Sequence, residues 1–150
     1  MTQFSVQQRR ALKNFIRRSP VYAVGGLAED FLLKYVFFEA ICRRIGEYYG
    51  SRPGVRGKGM AKSHASINLI FVWRSFSYFD INFGLDRLRY LLDSSLRKRG
   101  EKSARNLRNG LVHRWDENDV AEVSARHSSL CLTLDAVVTA ISHRVNGRQR

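Results

Sequence analysis

The segment Arg108-Asn109-Gly110-Leu111-Val112-His113 places a cation, an amide and an imidazole within a few residues of each other. If residues 101–114 form a helix, Asn109 and His113 are four apart and share a face. Arg108 then lies to one side of that face, while Leu107 and Leu111 point elsewhere and anchor the helix in a core. Such a set can cleave RNA without a metal or a cofactor. The ribose 2′-OH attacks the adjacent phosphorus, one proton leaves that hydroxyl, and another reaches the departing 5′ oxygen. Histidine exchanges protons near neutral pH. Arginine grips phosphate with a planar fork and stabilises the charge that grows on its oxygens. Asparagine hydrogen-bonds the phosphate or fixes the imidazole. DNA lacks the nucleophile and is not a substrate for this chemistry.

The surroundings of the segment are strongly basic. Arg97, Lys98, Arg99, Lys102 and Arg105 lead into Arg108 with Glu101 as the sole acid, and Arg114 extends the run. The whole chain has 26 Lys and Arg against 13 Asp and Glu in 150 residues, a formal net charge of +13. Such a surface attracts polyanions at long range, and nucleic acid is the first partner to expect. Lys102, Arg105 and Arg114 are candidate RNA contacts. Arg56 and Lys58 join them from the loop at 50–60, GSRPGVRGKGM. That loop is not a Walker motif, because Arg52 stands five before Gly57 and Gly59 follows Lys58.

Helices must position this segment. Ser5 and Gln8 form a capping box for a basic amphipathic helix that ends before Pro20. After Gly25-Gly26, residues 27–49 read as a long central helix with Phe31, Tyr35, Phe38, Cys42, Ile45 and Tyr49 stepping by three and four. It carries Glu39 among apolar neighbours, where an acid needs a partner or a place at the rim. Residues 63–79 are apolar and aromatic, and their length favours a helix over a strand. Leu85, Leu88, Leu92 and Leu96 mark one further helix running into the cation cluster. The acids at 116–119 supply N-caps for a last long helix through Val120, Val123, His127, Leu130, Leu134, Val137 and Ile141. The tail from 144 to 150 is basic and expected to fray. The sum is an all-α, single-domain, up-and-down bundle of five or six helices.

Other chemistries find less support. Cys42 and Cys131 form no CxxC pair and read as reduced, buried thiols of a cytoplasmic protein. His64, His127 and His143 show no HxxxH spacing, and His127 falls on an apolar stripe as a satisfied core histidine. No metal site is expected. The N-terminal residues lack the apolar stretch of a secretory signal, and no run is apolar enough to span a membrane.

Arg-polar-x3-His, as Arg108-Asn109 and His113, resembles the Rx4-6H motif of HEPN domains. The likeness extends to the motif's late position, near a helix end before a final helix, and to the aromatic-rich FLLKYVFFEAICRRIG. The resemblance implies a small helical bundle and a metal-independent endoribonuclease of the toxin or antiviral type, leaving 2′,3′-cyclic phosphate ends. It implies Arg108 and His113 as the catalytic pair, Asn109 as the polar helper and Glu39 as the acid that orients the arginine. It also implies a homodimer with a composite cleft, and an acidic antitoxin such as a minimal nucleotidyltransferase. The alternative is a non-catalytic helical module that binds nucleic acid or a partner through its basic face. On that alternative His113 is a capping or core-edge histidine beside Trp115, and Arg108 is one more solvated cation.

Overall fold

Two serines set the register of two helices by the same device. In the computed structural model, which describes residues 3–17, 26–51 and 67–147, the Ser5 hydroxyl accepts from the Gln8 amide at 3.1 Å. The Gln8 side chain returns the bond to the Ser5 amide at 3.0 Å, and α1 follows as Val6–Ile16. Ser103 and Asn106 repeat the capping box at the start of α5, Ala104–Arg114. Each box satisfies amides that a helix start leaves without partners. Between them lie α2, Leu27–Gly50, α3, Leu69–Tyr78, and α4, Leu85–Leu92; α6, Glu117–Asn146, closes the chain. All described regular structure is helical, and no described helix is long and apolar enough to cross a membrane.

The largest interface joins α2 to α6. Phe31, Tyr35, Phe38, Cys42 and Ile45 of α2 are fully buried, as are Leu130, Val137 and Ile141 of α6 or nearly so. Every one of the six α-helices contributes to this one core: Leu12, Phe38, Val72, Leu91, Leu107 and Val123 belong to it. Burying each such side chain stabilises by roughly 1.5–3 kcal/mol. Phe4 stacks on Phe79 with ring centroids 4.1 Å apart, and the Arg144 guanidinium donates to the Phe79 carbonyl at 2.7 Å, so α1, α3 and the end of α6 meet there.

Two expectations change. The leucine period from Leu85 to Leu96 does not make one helix: α4 stops at Leu92, and Ser94–Arg99 is a separate 3-10 segment. Asp93 is extended, and its carboxylate accepts from the Ser95 amide at 3.0 Å and from the Ser95 hydroxyl. A short acid that captures backbone N–H groups competes with helix continuation. Gly100, at φ 76°, ends the 3-10 segment in a left-handed conformation that suits glycine. The chain also stays helical through Asn146, beyond the point where fraying was expected, because Val145 is core and Arg144 is tied to Phe79.

The Ser95 hydroxyl holds the Asp93 carboxyl below its usual range; burial opposes this, and the Ser95 amide, Arg89 and Arg99 reinforce it. The folded state therefore prefers the carboxylate. Its contribution is full above the unfolded value of about 4 and is lost as pH falls through the lower folded value. Urea midpoints of Asp93→Ala should accordingly lie below those of the wild type at neutral pH and converge with them on acidification. A difference that does not change with pH would contradict this role.

Candidate active site

The capping box at Ser103 fixes which way every later side chain of α5 points. Leu107 and Leu111 are buried against the core, as their spacing requires. The opposite side carries Asn109 and His113, which line one cavity of about 350 Å³ together with Arg97, Lys102, Arg114 and Asp119. The expected sharing of a face by Asn109 and His113 is present. His113 itself is exposed and has no hydrogen-bond partner among the described residues.

Arg108 does not line that cavity. Its Nη1 donates to Asn109 Oδ1 at 3.0 Å, and its Nε lies 3.5 Å from Glu39 Oε1. The second contact is an ion pair without hydrogen-bond alignment, so the buried Nε–H is held by charge alone. Arg43, one turn after Glu39 on α2, stands 3.8 Å from the same carboxylate. The Tyr35 hydroxyl, one turn before Glu39, is buried and has no hydrogen-bond partner among the described residues. Burial, and then the Glu39 charge, pushes the Tyr35 phenol up, so it stays protonated. Glu39, Arg108 and Asn109 thus form a chain of contacts from α2 to the cavity that holds His113. Because Asn109 Oδ1 is occupied by Arg108, the amide NH2 is the group left to donate.

The remaining cations divide. Lys102 ion-pairs with Asp119, and its carbonyl accepts from Arg126 at 2.9 Å. Arg105 turns inward and donates to the Ile67 carbonyl at 3.5 Å, with its Nε buried. Arg97, Lys98, Arg99 and Arg114 are exposed. Arg56 and Lys58 lie outside the described residues. Of the acids at the cavity, Asp119 faces Lys102, and Asp116 caps α6 by accepting from the amides of Asn118 and Asp119 at 2.8 and 3.2 Å. The rim is therefore positive while the acids are engaged. A second cavity, of about 450 Å³, is lined by Ile16, Ser142 and His143 among others and by no lysine or arginine, so it does not suit a polyanion.

One cluster escapes a search for His-x3-His spacing. His127, expected in the core, is half-buried at its edge; its partner is Asp30 of α2, 2.6 Å away, with Cys131 one turn along α6. His-x3-Cys was the signal available in the sequence; the contribution of Asp30, nearly a hundred residues earlier, was not.

Comparison with known proteins finds no matching family model, no similar curated protein and no similar solved structure.

Proposed function

We propose that the chain is a metal-independent endoribonuclease of the HEPN type, acting by 2′-OH attack and leaving 2′,3′-cyclic phosphate ends. The observation that carries this reading is the contact from Glu39 through Arg108 to Asn109, which ends at the cavity lined by His113. His113 takes the proton of the 2′-OH as the O2′–P bond forms. As the P–O5′ bond breaks, a proton passes to O5′ from the imidazolium or from water. The Asn109 NH2 donates to a phosphoryl oxygen, and Arg108 behind it stabilises the added charge. Arg97, Lys98, Arg99 and Arg114 draw the RNA backbone to the rim. Val112 and Trp115, both about half exposed, flank His113 and give a second copy of the chain an apolar surface on which to complete the cleft. The basic surface suits an acidic antitoxin as regulator.

The test compares wild type with His113→Ala on a mixed RNA pool in EDTA, with circular dichroism to check the fold of both. Cleavage by the wild type, with cyclic phosphate ends and a rate about 10²–10⁴-fold above the variant, is expected. Equal behaviour of the two proteins would sink the enzyme reading and leave an RNA-binding module, which an unfixed, exposed His113 also fits.

A further inference from the structure

Asp30, in the first turn of α2, is 5% exposed, and an acid so placed needs a reason. Its Oδ2 lies 2.6 Å from His127 Nε2 and 3.7 Å from Cys131 Sγ, and Sγ is 3.4 Å from the same Nε2. Three donor atoms of three kinds thus converge on one point. A catalytic relay is excluded by the nitrogen involved. A relay needs the carboxylate on one ring nitrogen and the nucleophile on the other; here both face Nε2. The thiol is also pushed up to about 11, by burial first and then by Asp30, the opposite of an activated nucleophile.

The geometry points to a zinc site formed by Asp30, His127 and Cys131, clamping the start of α2 to the middle of α6. Bonds of about 2.0–2.3 Å at tetrahedral angles set ligand atoms roughly 3.3–3.6 Å apart. The Sγ–Nε2 separation is already there, the Sγ–Oδ2 separation is about 0.1 Å beyond it, and the Oδ2–Nε2 separation opens by less than about 1 Å when an ion replaces the shared proton. A carboxylate, a thiolate and a neutral imidazole balance the charge of Zn²⁺, and a nitrogen–sulfur set selects it over Mg²⁺ or Ca²⁺. Lys34, whose charge is felt at Cys131, is held by Asp135 at 3.0 Å. His127, with 22% of its side chain exposed, gives the ion a way in. Among the described residues no fourth protein ligand stands in the cluster, so water completes the shell. Asp30 and Glu39 are nine residues apart on α2, about 13 Å along the axis and half a turn around it. The zinc site is separate from the Arg108–His113 segment.

Tag-free full-length protein, stripped with chelator and kept reduced, should be titrated with Co²⁺ as a spectroscopic stand-in. A near-ultraviolet thiolate-to-cobalt charge-transfer band should saturate at a single equivalent and disappear when Zn²⁺ displaces the cobalt. Cys131→Ser should abolish the band, and His127→Ala should weaken binding roughly tenfold or more. Cys42→Ser, which removes the buried thiol elsewhere on α2, should leave it unchanged. Zn²⁺ should raise the melting temperature of the wild type and not of Cys131→Ser. A wild type with no band overturns the proposal, as does a band that persists in Cys131→Ser or vanishes in Cys42→Ser. If Cys131→Ser does not fold, the wild-type spectrum and His127→Ala decide.

Discussion

Arg108→Ala should lower the single-turnover rate of RNA cleavage by about 10²–10³-fold, the usual cost of removing one group that stabilises transition-state charge. Among the described residues Glu39 pairs with Arg43 and Arg108 and reaches the cavity only through Arg108, so it is a positioning residue, and Glu39→Gln should cost about tenfold. The informative measurement is the double variant. If Glu39 acts only by holding Arg108, then Arg108→Ala with Glu39→Gln should be no slower than Arg108→Ala alone. Multiplicative losses would show that Glu39 has a role of its own. Stability supplies a second readout. Glu39→Gln leaves Arg108 and Arg43 facing each other across a half-buried space without their anion, which should cost about 1–3 kcal/mol. Arg108→Ala removes one of the two cations and leaves Glu39 with Arg43. Full cleavage by Arg108→Ala would remove the arginine from the mechanism.

Gly110→Ala should destabilise the protein by about 2 kcal/mol, although alanine is the better helix former by about 1 kcal/mol. Gly110 is in the middle of α5, and its backbone does not require glycine. The space does. An added Cβ would overlap the Asp119 carboxylate and stand 2.7 Å from its Cγ. Asp119 is 5% exposed and paired with Lys102, so its carboxylate cannot move aside without leaving that partner. Overpacking of this kind costs roughly 1–3 kcal/mol, and separating a buried acid from its cation adds to it. The effect corresponds to a fall in melting temperature of roughly 4–8 °C for a chain of this size. Adding Asp119→Ala to Gly110→Ala should restore part of the loss, because the clash disappears while the gain in helix propensity remains. A neutral or stabilising Gly110→Ala would mean that α5 and α6 are less closely apposed than this contact requires.

The elements that could be read from the sequence are those written locally. Ser5 with Gln8, the acids before Val120, and the spacing of Leu107 and Leu111 each state a boundary or a face within a few residues. Glu39 could also be singled out, since an acid between Phe38 and Ala40 must meet a partner or stay at the rim. That the partner is Arg108 depends on the packing of α2 against α5, which no local pattern encodes. Leucine periodicity failed at Asp93 for a related reason. It reports which side of a helix is apolar, not whether the backbone continues, and one carboxylate decided that. The inward turn of Arg105 and the pairing of Lys102 were hidden in the same way. A run of cations reads as uniform until the fold assigns each one a carbonyl, a carboxylate or the solvent.

Several parts of the bundle are tied to α6 by polar contacts. Near its start Asp119 holds the Lys102 ammonium, and Arg126 donates to the carbonyl of the same lysine. Further on, His127 meets Asp30 and Asp135 meets Lys34; at the far end Arg144 meets Phe79. These ties lie on several faces of α6 and are spread along most of its length. Sliding α6 by a single residue would turn it by about 100° and break all of them together. The long helix thus acts as an index for the bundle. Both candidate sites, half a turn apart on α2, are in or out of alignment together.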